Sequence, residues 1–403
     1  MHTILDYETA SRTRPLVRPL EGIMVLEIGS TVAGPAAGRL LADFGATVIK
    51  VEPPEGDHLR TWGTLSGDGT SWWFKSHNRN KTFVSFDLHD PLDARRVREI
   101  ALQCDVVLEN FRPGKLAEWG LGYEQLRAER PGIIYVSISG YGQDGPYAKR
   151  PGFGNIAECM SGMRYMTGYP DRPPVRTGIS IGDEIAGLYA VVGATMALLA
   201  RAKTGEGDHV DVSLVESSLS LMEALLPEYV HAGIVGERTG NRYLRAAPNG
   251  TYRTRDGRWL SVSANSQPIF RRLCAVMGQP HLADDPAYAT NQSRMEHAEE
   301  LDGIIARWVA SLDLDGATEA LVAADIPTGP VYSIADIVAD PQMRARAATT
   351  VIPDENGIDV ATYGIVPRMR NNPGTLDHAA RAVGRDQDAV ARTFGLTKEE
   401  AKR

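Results

Sequence analysis

Short β-rich runs alternate with amphipathic stretches between Gly22 and Ser139, and no other feature of the sequence limits the possible folds so strongly. The runs are GIMVLEI, ATVIKVE, TFVSFDL, CDVVLEN and GIIYVSIS, and segments of helical pattern such as AAGRLLADFG and ARRVREIALQ lie between them. Strands that alternate with helical segments pair in parallel and are connected by crossover helices. The pattern therefore predicts an α/β domain with an open, Rossmann-like parallel sheet.

This topology also predicts where a ligand binds. Ligands of open α/β sheets lie beyond the carboxyl ends of the strands. In this chain the segments after those ends are Gly29 to Pro35, Glu52 to Pro54 and Asn110 to Gly114. These three segments are the first candidates for a binding site.

The rest of the chain predicts a second, smaller domain. A Gly/Pro/Tyr-rich stretch, 140–174, interrupts the alternation, and a buried helix is expected to begin near Asp183. NGTYRTRDGRWLSVSAN has the pattern of a β-hairpin that turns at Asp256 and Gly257, and helical segments follow it. We expect a large domain over 1–225 to which 339–403 returns, a linker over 226–244, and a small α+β domain over 245–335.

Charge and cysteine usage narrow the function classes. The net charge of −8 is spread without long charged blocks, so we expect neither nucleic acid nor an anionic membrane as a partner. Cys104, Cys159 and Cys274 lie far apart without a C-x-x-C pair, which argues against disulfides and favours a reducing cytoplasm. The longest uncharged run, 185–200, is shorter than the roughly 20 apolar residues of a membrane span. No signal peptide is expected at the N-terminus.

Several short motifs of other enzyme classes lack either the spacing or the structural context that their function requires. The glycines of GSTVAGPAAG lack the G-x-G-x-x-G spacing of dinucleotide sites, and no lysine follows them as in a P-loop. GISIG matches the G-x-S-x-G of serine hydrolases, but the prolines before it argue against the strand that such a nucleophile needs. Histidine and acidic residues show no metal-ligand spacing, so no metal is expected.

Two polar segments are candidates for binding an anion. NRNK, 78–81, and NFRPGK, 110–115, each combine amides and cations beside a predicted strand end. Such groups suit a phosphorylated ligand. The alternative for both segments is an ordinary polar loop.

Asp183, directly after Gly182 at the head of the apolar helix, admits two interpretations. An aspartate in this place is a common N-cap, because its side chain accepts a backbone N–H of the first turn. A carboxylate after a glycine at a helix N-terminus can instead be a nucleophile. The local pattern leaves both interpretations open.

Taken together, these stretches resemble the family III CoA-transferases. The likeness runs through RPLEGIMVLEIGSTVAGPAAGRLLADFGATVIKVEPPEGD, NRNKTFVSFDL, VVLENFRPG, ISGYGQDGPY and GDEIAG, and continues into TGEGDHVDVSLVES, PNGTYRTRDGRWLSVSAN and IPTGPVYSIADIVADPQ. It covers nearly the whole chain. The resemblance implies transfer of CoA from an acyl-CoA to a carboxylic acid, with CoA as part of the substrate and no tightly bound cofactor. It also implies a homodimer of interlocked subunits.

The resemblance further implies the roles of single residues. Asp183 is expected to be the nucleophile, which forms first a mixed anhydride and then an enzyme–CoA thioester. Glu184 is expected to interact with the helix dipole rather than with the substrate. Charge alone adds Arg112 and Lys115 as CoA contacts. The resemblance implies CoA contacts at Ala33, Glu52, Pro53, Lys81, Asn110, Phe111 and Tyr141.

Departures from the family pattern limit the choice of reaction. Val32 replaces a glutamine of the formyl-CoA transferases, whose four-glycine loop is also missing, which argues against an oxalate-specific enzyme. The related α-methylacyl-CoA racemases pair their aspartate with a histidine of an earlier G-H-D turn. Phe153 stands in the place of that histidine here, and a racemase without this acid/base would lose most of its rate. Transferase chemistry is therefore favoured over racemisation.

The acceptor acid is less clearly indicated. Arg164, Arg172 and Arg176 precede Asp183, and a guanidinium is a natural partner for a second carboxylate, so a dicarboxylate such as succinate or malate is expected. Solvated loop arginines are the alternative. A non-catalytic subunit that supports an active partner is another interpretation of the same resemblance.

Overall fold

The computed structural model describes residues 17–243 and 245–396. Its strands are β1 (Met24–Ile28), β2 (Thr47–Glu52), β3 (Thr82–Ser85), β4 (Val106–Glu109), β5 (Ile134–Ser139), β6 (His209–Ser213), β7 (Asn249–Arg253), β8 (Trp259–Ser263), β9 (Thr328–Pro330), β10 (Thr349–Pro353) and β11 (Asp359–Tyr363). Its α-helices are α1 (Ala33–Asp43), α2 (Trp72–His77), α3 (Pro91–Ala101), α4 (Lys115–Glu118), α5 (Tyr123–Arg127), α6 (Gly154–Met160), α7 (Met163–Met166), α8 (Ile181–Thr204), α9 (Leu214–Leu219), α10 (Leu225–Ala232), α11 (Gln267–Val276), α12 (Asn291–Glu296), α13 (Ala298–Ala310), α14 (Leu314–Ala323), α15 (Ile334–Ala339), α16 (Pro341–Ala345) and α17 (Gln387–Phe394). Short 3₁₀ helices lie at His58–Thr61 and Pro280–Ala283.

Six strands form the main sheet in the order β3-β2-β1-β4-β5-β6, and every neighbouring pair is parallel. The predicted Rossmann-like sheet is therefore confirmed. The chain moves outward from β1 through β2 to β3, and then returns to β4 on the other side of β1. The order of the strands therefore reverses at the neighbouring strands β1 and β4. The crevice beyond the carboxyl ends of these two strands is the switch point of the sheet, where ligands of such folds bind.

Both faces of the main sheet are covered, as the continuous apolar runs require. Leu26 and Ile28 of β1 pack in one core with α3 and α17. Val25 of the same strand packs in a second core with α1 and α8. Successive side chains of a strand point to opposite faces, so one short strand contributes to both layers.

The chain divides into two compact units. The first contains the described residues up to Gly162, then Gly178–Glu223 and those from Ala345 onward, and it includes the main sheet and the β10–β11 hairpin. The second contains Met163–Thr177 and Ala224–Arg344. The expected domain limits remain a prediction, because compactness alone does not show which part folds independently.

The second unit is built on a three-stranded antiparallel sheet, β7-β8-β9. The predicted hairpin is confirmed: β7 pairs with β8, and Gly257 has a φ of +82° in the turn between them. The inner face of this sheet packs against α11, α13 and α14 around Leu260 and Phe270.

Helix α8 differs from the buried helix that the sequence predicts. It begins at Ile181 and packs on α1, β5 and β6, but its opposite face is apolar and exposed. Leu188, Val192 and Met196 on that face are 54%, 46% and 65% exposed. The sequence pattern does not separate the two faces, because apolar residues occupy both of them.

Among the described helices, α8 alone has the length and hydropathy of a membrane span. Core helices of soluble proteins pass the same test, and α8 packs on the parallel sheet. Its first turn carries Asp183 and Glu184 and its last turn Arg201 and Lys203.

Candidate active site

The switch point brings two of the predicted ligand segments together. Asn110, directly after β4, reaches the loop after β1, where its Oδ1 accepts a hydrogen bond from Ser30 N (3.0 Å) and its Nδ2 donates to Ser30 O (2.9 Å). Gly29 and Gly34 leave room for this amide, since a Cβ at either position would press on Asn110. The Asn110 side chain therefore shapes the loop from inside.

The first turn of α1 lies at the same place. Ala33 is its first residue and is buried, and Val32 precedes it without a side-chain cap. The first N–H groups of a helix have no acceptor within the helix. The turn therefore offers backbone donors at the switch point, next to the loop that Asn110 holds.

Glu52 and Lys81, two predicted CoA contacts, use their charges inside the protein. Glu52 accepts two hydrogen bonds from Arg60, at 2.8 and 2.7 Å. Lys81 is fully buried and donates to Pro35 O (2.9 Å) and Asn78 Oδ1 (2.8 Å). Burial lowers the pKa of Lys81 to about 8, although the nearby Glu27 carboxylate opposes this effect. Pro53, the residue after Glu52 and also a predicted CoA contact, is exposed.

The other polar side chains of the NRNK segment, 78–81, also have their partners inside the protein. The guanidinium of Arg79 binds Asp43 through two hydrogen bonds and reaches Thr362 Oγ1 and Tyr363 O near the C-terminal hairpin. Asn80 donates to Asp43 and to the backbone carbonyl of Thr375. The segment therefore connects parts of the first unit, and its role toward an anion remains a prediction.

The NFRPGK segment, in contrast, has accessible side chains. Arg112 is exposed, and Phe111 lies edge-on against Trp119 with ring centroids 5.7 Å apart. Lys115 holds its Nζ 4.7 Å from the centre of the Trp119 ring and 2.8 Å from Glu118. A cavity of about 540 Å³ opens beside Trp119 and is also lined by Arg95. The sequence analysis missed Trp119, although an aromatic residue one helical turn after Lys115 was a usable signal.

Tyr141 lies beyond the carboxyl end of β5. Its ring contacts that of Tyr147 edge-on, with centroids 5.9 Å apart, and lies against Gly152. Gly152 also packs on Gly140. The short segment from Gly152 to Gly154 then leads from Tyr141 to the head of α8.

Asp183 is the third residue of α8, and the N-cap is Ser180. The capping interpretation of Asp183 is therefore wrong. The argument against a Ser180 nucleophile is confirmed, because 167–179 form no strand. Asp183 is half-buried, and its carboxyl group lies against Gly154 so closely that a Cβ there would overlap it. Phe153, in the place of the racemase histidine, is 69% exposed.

The Glu184 side chain lies near α1 and α2, whereas that of Asp183 lies against the start of α6. Its carboxylate lies 4.0 Å from the Arg39 guanidinium and 3.8 Å from Nδ1 of His77. Burial raises the pKa of Glu184, and Arg39 partly offsets this effect. His77 Nε2 lies 3.1 Å from Val32 O, and burial lowers the His77 pKa to about 3. A neutral His77 therefore donates to the residue that precedes α1.

The three arginines predicted near the acceptor belong to the second unit. Arg172 lies over the Tyr169 ring at 5.6 Å, and Arg176 is exposed. Arg164 is half-buried in α7. Their role toward a substrate remains a prediction.

The sequence and the fold of this chain match those of known proteins. The family model described as CoA-transferase family III matches residues 20–387. The chain is 43% identical over 385 residues to the succinyl-CoA--D-citramalate CoA-transferase of Chloroflexus aurantiacus, covering 95% of this chain and 96% of that protein. It is 35% identical to the alpha subunit of the succinyl-CoA--L-malate CoA-transferase of Chloroflexus aurantiacus, covering 96% and 91%. A CAIB/BAIF family protein from Brucella suis has a crystal structure with a TM-score of 0.83 and 33% identity, covering 93% and 99%.

Proposed function

Because the chain belongs to CoA-transferase family III, we propose that it transfers CoA from a donor acyl-CoA to a dicarboxylic acid through covalent intermediates on Asp183. The observation that carries the proposal is the position of this residue. A half-buried carboxylate in the first turn of α8 lies against a glycine, so that no side chain covers it from that side. A helix N-terminus stabilises a carboxylate through its dipole.

The proposed reaction has four covalent steps. The Asp183 carboxylate attacks the thioester carbonyl of the donor, and CoA leaves as a thiolate, which gives a mixed anhydride. The thiolate then attacks the aspartyl carbonyl, releases the donor acid and leaves an enzyme–CoA thioester. The acceptor carboxylate attacks this thioester and expels CoA again. Finally the thiolate attacks the acceptor carbonyl of the second anhydride, which releases the new acyl-CoA and restores Asp183.

We propose that acyl-CoA lies across the switch point. Its direct contacts are then Ala33 on α1, Phe111, Arg112 and Lys115 after β4, and Tyr141 after β5, with Pro53 at the margin. The cavity beside Trp119 offers an aromatic surface to the adenine ring and Arg95 to a phosphate. Glu52, Lys81 and Asn110 act indirectly, because their polar groups already have partners inside the unit.

The acceptor is proposed to be a dicarboxylate because both named relatives use hydroxydicarboxylates, citramalate and malate. A guanidinium is the natural partner of the second carboxylate of such an acid. Rates with succinate, malate and citramalate, compared with acetate, test this point. Equal rates with acetate would contradict it.

We further propose a homodimer that works in the cytoplasm. The exposed apolar face of α8 is a surface that a second copy of the chain would cover. Cys104, Cys159 and Cys274 are free thiols in the structure, as a reducing compartment allows. The malate relative is named as a subunit, so a mixed assembly with a second, related chain is the alternative.

Intact-mass analysis of the pure chain after addition of succinyl-CoA tests the central claim. The parent is expected to gain the mass of CoA less one water, and hydroxylamine is expected to convert this adduct to a hydroxamate at Asp183. Asp183→Asn is expected to remain unmodified. Glu184→Gln, which changes the adjacent acid of the same helical turn, is the matched control and should still form the adduct.

An adduct of equal yield in Asp183→Asn would overturn the proposed nucleophile. A parent chain that forms no adduct and exchanges no thioester alone, but does so with a second chain, would indicate the non-catalytic subunit instead.

A further inference from the structure

The loop between β1 and α1, residues Gly29 to Val32, has a backbone conformation that its sequence does not favour. Thr31 has a φ of +72°, in the left-handed region. A β-branched residue is an outlier there, and such residues cost on the order of 1–3 kcal/mol each. The conformation persists only where the surrounding structure determines it. The contacts that hold Thr31 therefore identify the residues that determine the conformation of this loop.

Two fully buried charges provide those contacts. Asp57 accepts the N–H of Thr31 with both carboxylate oxygens, at 3.1 and 3.2 Å. Lys50 binds the same carboxylate at 3.0 Å and donates to Gly29 O at 2.8 Å. One ion pair thus holds the loop at two points of its backbone, on either side of Ser30.

The rest of the loop is fixed from other directions. The Asn110 amide holds both backbone groups of Ser30, and the His77 ring holds Val32 O. Every residue of the loop therefore has a backbone group bound to a side chain from elsewhere in the first unit. Flexible loops that must bind a ligand lose conformational entropy on binding, and a loop fixed in advance avoids this cost.

The Lys50–Asp57 pair is not explained by stability alone. Burying two charges is costly, and well-packed apolar residues of similar volume often replace a buried ion pair without loss. Here Lys50 also binds Glu27 at 3.1 Å, so three charged side chains are buried under this one loop. Lys50 directs its polar contacts to Glu27, to Asp57 and to the loop. Asp57 also accepts the N–H of Leu59, and Glu27 also pairs with Lys81 at 2.7 Å.

We propose that Asp57 and Lys50 are positioning residues for acyl-CoA binding: their ion pair holds Thr31 in its left-handed conformation, and so preforms the loop and the first turn of α1 at the switch point. This inference rests on the proposed function, because it takes acyl-CoA as the ligand at the switch point. Under this proposal Asp57 and Lys50 contribute to the affinity for acyl-CoA without contacting it.

A double-mutant cycle between Asp57→Asn and Thr31→Gly tests the proposal. In the parent background Asp57→Asn is expected to raise the KM for succinyl-CoA about tenfold, with a change in kcat below about threefold, because the neutral amide loses the ion pair with Lys50 and keeps only one acceptor for the Thr31 N–H. Glycine adopts a positive φ without strain. In the Thr31→Gly background the same substitution is therefore expected to raise KM less than about threefold.

Hydrogen exchange of the unliganded protein provides a readout that does not depend on activity. Asp57→Asn is expected to accelerate exchange of the loop amides. Asp43→Asn is the matched control, because Asp43 is equally buried and binds Arg79 at 2.7 Å but does not contact the loop. It is expected to lower thermal stability and to leave both KM and loop exchange unchanged.

If Asp57→Asn does not fold, Thr31→Pro provides the second test. Proline has no N–H for Asp57 and excludes a φ of +72°, while all buried charges stay in place. It is expected to raise KM at least as much. Equal KM effects of Asp57→Asn in both backgrounds, or unchanged loop exchange, would overturn the positioning role. A parent that neither binds nor uses acyl-CoA would overturn the proposed function, and the exchange data would still decide the positioning role.

Discussion

At the scale of single residues, the neighbours of a polar side chain decide its role more than its type does. Lys81 and Arg112 are both cations near a strand end, yet Lys81 is fully buried and bound to backbone and amide oxygens while Arg112 is exposed. Asp183 lies next to a residue without a side chain. A substitution of that neighbour, Gly154, therefore tests the position of the Asp183 carboxylate without changing Asp183 itself.

Gly154→Ala is expected to lower kcat about 100-fold, because the new Cβ displaces the Asp183 carboxylate and a misplacement of about 1 Å can cost this much. Thermal stability is expected to change little, since Gly154 begins α6 and alanine favours a helix. Steady-state kinetics and a melting curve measure the two effects.

Gly67→Ala is the control for this substitution. A Cβ at Gly67 meets no atom within 4 Å, so kcat should stay at the level of the parent. Normal turnover of Gly154→Ala would mean that the Asp183 carboxylate does not act from the position it has in this structure.

At the scale of elements, α8 has two apolar faces with different partners. One face packs so tightly on α1 that a Cβ at Gly187 would lie 3.0 Å from Ala33 O. The other face, with Leu188, Val192 and Met196, is exposed on the single chain. Apolar residues spaced by four on an exposed helix face commonly mark a contact between proteins.

Leu188→Glu combined with Met196→Glu is expected to convert a dimer into a monomer, because two buried charges without partners oppose association. Sedimentation velocity measures the state, and circular dichroism should show an unchanged fold. Val351→Glu, at a residue of β10 that is 58% exposed, is the control and should leave the dimer intact. A parent that sediments as a monomer would contradict the prediction before any substitution is made.

At the scale of the whole molecule, buried titratable groups make stability depend on pH. His77 has a folded pKa of about 3, below its ordinary value of 6.5, mainly because it is buried. The unfolded chain binds a proton between these two values and the folded chain does not. The contribution of His77 is therefore complete above pH 6.5 and is lost as pH falls toward 3.

His77→Gln is expected to remove this dependence while keeping a donor for Val32 O. Between pH 6.5 and 5, the free energy of unfolding of the parent should fall by about 2 kcal/mol more than that of the variant. Glu109, whose pKa burial raises to about 7, titrates in both proteins and cancels in the difference. Denaturant unfolding at both pH values measures this difference. An equal fall in the free energy of unfolding of the two proteins would show that His77 is not buried in its neutral form.

Much of the molecule follows from the sequence alone. The alternation of apolar strands and amphipathic helices predicts the parallel sheet, and the Asp256-Gly257 turn predicts the hairpin of the second unit, because side-chain periodicity and turn chemistry are local properties. The family motifs indicate CoA transfer and Asp183. These inferences depend on short stretches of chain.

Only the tertiary structure decided which polar groups serve the fold and which remain accessible. The partners of NRNK lie up to 298 positions away, as between Asn80 and His378, and those of Asp57 include a loop 26 positions before it. No local pattern encodes such pairs, because the same cation or amide satisfies a ligand or a distant backbone group equally well. The folded chain alone determines which of the two lies within hydrogen-bond distance.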